Sequence, residues 1–168
     1  MAKEFPPFTI FRASDAIDFD ESGAMTPAEQ GTFDPEAVQA LLAAGMGDGA
    51  KNDLIFSGGG MSLARVWFKS GYPLPRHSHD CACLYYITAG SLKMGAEELG
   101  PGDGFFVGTD VPYAYVAGEE GVELLEFRAA TEFGIKLLGM NAAWGAKALR
   151  QVEERHPSWI DEKRPSEV

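Results

Sequence analysis

His77 and His79 stand two residues apart in the run Tyr72-Pro73-Leu74-Pro75-Arg76-His77-Ser78-His79-Asp80. On a β-strand, residues two apart point to the same face. Two neutral imidazoles held that way can address one Fe, Ni, Cu, Zn or Mn ion. Cys83 keeps the same parity, so its sulfur can join them. As a thiolate it would turn the preference toward softer ions such as Zn or Cu. The plain alternative is a small buried hydrophobe, and both readings stand. Arg76 and Asp80 have the opposite parity and should face away. Pro73 and Pro75 mark this strand as one that joins a sheet at its edge.

Short strands are expected around these residues. Segments 54–57, 61–68, 82–88, 91–94, 104–107, 113–116 and 122–127 are separated by Gly, Pro and Asp turns. That texture predicts a closed or double-layered all-β domain. Upstream, residues 1–31 read as an irregular arm, with 8–11 as a short strand against a barrel edge or a second subunit. A helix follows. Asp34 caps it, Pro35 suits its first position, Val38, Leu41 and Leu42 share a face, and Gly45 ends it. A second helix is expected over 142–155, capped by Asn141 and closed by Pro157. Its apolar face is Trp144, Ala148, Leu149 and Val152. His156 sits at its end, where the helix dipole favours a cation, and reads as structural. The glycine-rich runs 45–49 and 58–60 lack the lysine of a phosphate-binding loop and read as turns.

A chain of 168 residues, 45% hydrophobic, suits one domain with a sizeable core. The net charge of −11 argues against nucleic acid and anionic membrane as partners. No segment is apolar enough to span a membrane, and no signal-peptide core stands at the N-terminus. Cys81 and Cys83 are the only cysteines, and two positions apart on one strand they are poorly placed to bridge. A cytoplasmic setting is the expectation.

The spacing Gly71-x5-His77-x-His79-x3-Cys83-x6-Gly90 resembles the first motif of the cupin family, a glycine, two histidines, a glutamate and a second glycine. Every fixed position matches except the glutamate, which is Cys83. The second cupin motif is a glycine-aspartate turn, a short apolar strand, a Pro-x-Gly turn and a histidine. The run from Gly102-Asp103-Gly104 to Tyr113 fits that frame. Here the family's proline is Gly108, its glycine is Asp110, and its metal-binding histidine is Tyr113. The resemblance implies an all-β double-stranded β-helix, a jelly-roll cupin barrel, over 53–129. An N-terminal arm and helix would occupy 1–52, and a C-terminal helical extension 130–168.

The resemblance also implies one divalent transition metal, held by His77 and His79 with Cys83 or Tyr113 completing the protein ligands. A thiolate at Cys83 would carry the charge of the missing glutamate. Cysteine dioxygenases, also cupins, carry a cysteine at this motif position near a three-histidine iron, but this chain has no third histidine in the barrel region. A phenol is a poor ligand at neutral pH unless the metal promotes its ionisation. Tyr113 therefore also reads as the catalytic hydrogen-bond donor or general acid over a substrate, or as a core tyrosine. By parity Tyr85, Ile87 and Tyr115 form either the pocket wall, which suits a planar or aromatic molecule, or simply an aromatic-rich barrel core. Glu123 and Glu126 have opposite parity on the closing strand. If Glu126 faces the pocket, it supplies the carboxylate that position 83 lacks.

Three functions fit. The first is a metal-dependent enzyme on a small organic molecule, a dioxygenase, lyase or isomerase. The second is a non-catalytic ligand-binding or sensor barrel, and the third a metal-free cupin using Tyr113 and Cys83. A homodimer is expected, because relatives by this resemblance commonly pair and residues 5–11 are more apolar than a free arm needs.

Overall fold

The computed structural model describes residues 5–28 and 34–168. Strand β1 (Ile17–Asp18), helix α1 (Phe19–Ser22) and strand β2 (Met25–Pro27) come first, followed by helix α2 (Pro35–Ala43). The strands β3 (Ala50–Gly58), β4 (Met61–Phe68), β5 (His77–His79), β6 (Cys83–Met94), β7 (Glu97–Leu99), β8 (Gly104–Val107), β9 (Val116–Arg128) and β10 (Phe133–Leu137) succeed one another. Helix α3 (Ala142–Trp159) ends the regular structure apart from a last 3-10 turn.

The larger sheet runs β1-β3-β4-β9-β6-β7, with β8 also on β6, and the smaller runs β2-β10-β5. Together they form a jelly-roll barrel flanked by the helices. Its core includes Leu54, Val66, Tyr85, Ile87, Leu92, Tyr115 and Leu124. Burial of such side chains contributes about 1.5–3 kcal/mol each.

The arm is more ordered than its sequence suggests. β1 pairs antiparallel with β3, and β2 pairs parallel with β10. Residues 8–11 form no strand. Instead Phe5 and Phe11 pack on Phe56, at ring distances of 5.7 and 5.4 Å. Of the arm, residues 1–4 and 29–31 lie outside the described residues. The expected strand at 113–116 is a single bridge between His77 and Tyr113, and β9 begins only at Val116.

The segments 82–88 and 91–94 are one strand, β6, with register shifts at Ile87/Ala89 and Gly90/Leu92. Gly90 makes this possible. It has φ +70°, and a Cβ there would stand 2.2 Å from the Gly121 carbonyl oxygen. At the other end of the first motif, Gly71 also has a left-handed backbone, φ +63°. Asp110, in the slot of the second motif's glycine, has φ 59°, the one positive value outside glycine among the described residues. Aspartate tolerates that conformation better than most residues.

Helices α2 and α3 meet over Leu41, Met46, Ala148, Val152 and Trp159. Asp34 and Asn141 cap them as their sequences suggest. Leu42, expected on the buried face, is exposed. The larger difference is Pro157, which does not close α3. Its missing N–H falls in the last turn, and tertiary bonds hold that turn. Trp159 is fully buried; its indole N–H donates to Ser70 O at 2.9 Å, and its carbonyl accepts from Lys69 Nζ at 2.6 Å. His156 bonds Asp48 at 2.8 Å, a structural contact.

Candidate functional site

Along β9, Val122, Leu124, Glu126 and Arg128 turn inward. Glu126 lies opposite Tyr85 of β6 and Ala64 of β4; Arg128 lies opposite Cys83 and Ser62. The small Ala64 and Ser62 leave room for two charged side chains. His77 and His79 approach from the other sheet, where β5 is fixed against β10 by the registers His79↔Ile135 and His77↔Leu137. Arg76 and Asp80 are exposed, as their parity requires. Glu123 is buried on the outer side, where Arg164 Nη1 donates to it at 3.0 Å and the Ser166 N–H at 2.9 Å.

Both imidazoles are anchored through Nδ1, which donates to a backbone carbonyl: Pro75 O at 2.7 Å for His77 and Gly134 O at 2.9 Å for His79. Each Nε2 therefore carries a lone pair. That of His77 accepts from the Tyr113 hydroxyl at 2.8 Å, and Tyr113 in turn shares a very short hydrogen bond with the Tyr85 hydroxyl. His79 Nε2 makes no hydrogen bond to any described residue. Arg128 Nη1 lies 2.6 Å from Glu126 Oε2 but out of line for a hydrogen bond, and neither Nη1 nor Nε has a hydrogen-bond partner among the described residues. The guanidinium also stacks 4.3 Å from the Phe133 ring centre.

The surroundings fix the charges. Burial, and then the Arg128 cation, push His79 down to about 3. Burial lowers His77 as well. Burial raises the Cys83 thiol to about 12 and holds Tyr85, Tyr113 and Tyr115 above the usual phenol range. For Arg128 burial works most strongly against the charge, but Glu126 together with Tyr85, Cys83 and Tyr113 outweighs it and the cation is reinforced. The interior thus holds one buried ion pair among neutral imidazoles, phenols and a thiol.

A cavity of about 140 Å³ opens onto this group. His77, His79, Glu126, Arg128 and Asn52 form its polar side, and Asn52 Oδ1 has no hydrogen-bond partner among the described residues. Val66, Phe68 and Leu74 line the rest, with Phe19 and Met25 contributed by the N-terminal segment. Of the residues singled out in the sequence, the structure brings His77, His79 and Glu126 onto this cavity. Tyr113 stands behind His77 and touches it. Tyr85, Ile87, Tyr115 and Cys83 lie in the packed core rather than on the cavity wall. Arg128 and Asn52 escaped the sequence reading. For Arg128 a signal existed, since it follows Glu126 by two and shares its parity.

No protein-family model matches the sequence, and no curated protein matches it. Among solved structures, the polyketide cyclase RemF from Streptomyces resistomycificus is similar over 63% of this chain and 82% of its own, with a TM-score of 0.52 at 15% identity. The fold is the cupin fold. An RmlC-like cupin from Shewanella frigidimarina matches 48% of this chain and 76% of its own at 22% identity and a TM-score of 0.44. KdgF from Halomonas sp. matches 48% of this chain and 79% of its own at 19% identity and a TM-score of 0.42.

The donors in this cupin barrel do not fit the metal that the motif resemblance implies. Among the described residues, no three His, Cys, Asp or Glu side chains lie close enough to hold an ion. His77 Nε2 is occupied by Tyr113 and Glu126 by Arg128, while the Cys83 thiol is engaged by Leu84 O and Tyr85. A divalent ion would also stand beside a permanent guanidinium whose one counter-charge is already spent on it. Among the described residues, no helix is long and apolar enough to cross a membrane.

Proposed function

We propose that this cupin binds a small organic molecule in the cavity at the barrel mouth and moves a proton on it, as a lyase, isomerase or cyclase does. The observation behind this reading is His79. Its Nδ1 is committed to Gly134 O, its ring lines the cavity, and burial keeps it neutral down to about 3. A neutral, oriented imidazole is a proton acceptor in place. His77 and Tyr113 serve as positioning groups, since each holds the other at 2.8 Å.

The reading is tested without knowing the substrate. Purified protein, treated with chelator, is incubated in D2O with a panel of small carbonyl compounds, and deuterium uptake beside the carbonyl is followed by NMR. Exchange is expected for at least one compound, and His79→Gln should reduce it about a hundredfold. Exchange in no compound, or equal exchange in the variant, would remove the proposal. Both Nδ1 atoms do donate to carbonyls, as metal-binding histidines commonly arrange. Exchange or turnover that appears only after reconstitution with Fe, Ni, Zn, Mn or Cu would overturn the metal-free reading and the misfit of the donors with it.

A homodimer also belongs to this proposal. Leu84 lies opposite both Phe106 and Phe127, and all three are exposed on the outer face of the large sheet. In a chain of net charge −11, an uncharged band is where a second copy can dock without like-charge repulsion. Light scattering should give a dimer at micromolar concentration, and Leu84→Glu/Phe106→Glu a monomer. A wild-type monomer would count against it.

A further inference from the structure

The cavity beside His79 has a neighbour. Tyr72 and Asn52, both half-buried, line it and also line a second cavity of about 330 Å³ beneath helix α2. The wall of this outer space is apolar, with Val38, Leu41 and Leu42 from α2 facing Leu137 and Met140. Leu42 belongs to that wall yet is 62% exposed. An apolar side chain left open in a cavity is one that an apolar ligand would cover. The charged residues of the same wall, Asp18 and Asp20, are both acidic.

We propose that the substrate is an uncharged, elongated carbonyl compound, its carbonyl end beside His79 and its apolar tail in the outer cavity under α2. This rests on the inner cavity being the site of proton transfer. A hydrogen on the carbon next to a carbonyl is acidic enough for a neutral imidazole to remove. The inner volume of about 140 Å³ limits the reacting end to the size of a benzene ring, since about 150 Å³ holds one. The outer space is about twice as large, room for a chain of roughly six carbons or more. An anionic tail would meet Asp18 and Asp20. A tail charge of either sign would also lose its water against the leucines.

The test uses the full chain, treated with chelator, and four ketones: 2-butanone, 2-hexanone, 2-octanone and 7-oxooctanoate, whose tail ends in a carboxylate. Titration calorimetry gives the affinities, and NMR in D2O gives the deuterium exchange. Each added methylene should tighten binding about fourfold. The anionic 7-oxooctanoate should bind about tenfold more weakly than 2-octanone. Val38→Phe and Gly47→Phe are designed to fill the outer space, and a Cβ at Gly47 meets nothing within 4 Å. They should remove the gain with length and leave 2-butanone unchanged. Equal affinities from 2-butanone to 2-octanone, a gain that survives both substitutions, or 7-oxooctanoate binding as tightly as 2-octanone would overturn the proposal. The series on wild type decides even if a substituted protein does not fold. If 2-butanone exchanges deuterium through His79 while length adds nothing, only the elongated substrate falls. If affinity grows with length and the substitutions abolish the gain, but no ketone exchanges, the two-part site holds and the proton-transfer reading alone falls.

Discussion

Replacing Arg128 with methionine is expected to destabilise the barrel by about 3–5 kcal/mol, because it strands Glu126 in the interior without its counter-charge. Glu126→Leu should cost a similar amount by stranding Arg128. The double variant Arg128→Met/Glu126→Leu should recover most of either loss, since two apolar side chains need neither water nor a partner. Urea unfolding of the four proteins measures the coupling. Two single losses that simply add in the double variant would show that the pair does not act as a unit. The same variants bear on function, for a stable double variant lacks the cavity's polar wall.

Acidification is expected to produce the second large effect. An ordinary histidine in the unfolded chain gains its proton near pH 6.5, whereas His79 in the barrel does so only at about 3. The unfolded state therefore binds more protons between these values, and stability falls as pH falls through the window. It is complete above 6.5. By pH 5, His79 alone should have removed about 2 kcal/mol, and His77, lowered in the same direction, adds to the loss. Most carboxylates remain charged at pH 5, so the early part of the decline belongs to the histidines. Urea midpoints at pH 7.5, 6 and 5 should descend in that order, and His79→Gln should flatten the series. A midpoint unchanged from pH 7.5 to 5 would contradict the burial of neutral imidazoles.

The barrel was legible because its signals are local. Alternation, Gly/Pro turns and the two motif spacings mark the strands from β3 to β9 apart from the three-residue β7, and the motif glycines at 71 and 90 adopt the backbone that glycine alone adopts freely. The site was legible in part. Parity brings His77, His79 and Glu126 inward, but parity cannot distinguish a side chain on a cavity from one packed in the core. Tyr85, Ile87 and Tyr115 share the inward parity and are filled in around by neighbours. The arm was misread because β1 and β2 are two and three residues long, too short for a period. Pro157 was misread because propensity ends a helix there, whereas the Trp159 anchor is a contact between distant parts of the chain.

The parallel pairing of Met25 with Phe133 has a consequence for synthesis. A ribosome adds about 5–20 residues per second, so β2 waits roughly 5–20 s before its partner strand, roughly a hundred residues downstream, has been made. β5 waits on the same strand, since β10 lies between the two. Through that interval Phe19 and Met25 have no β10 to pack beside, and once residue 113 is made the histidine strand has only its bridge to Tyr113 to fix its register. The mouth of the barrel is thus the part of the nascent chain most in need of a chaperone's attention, and the last to become able to bind anything.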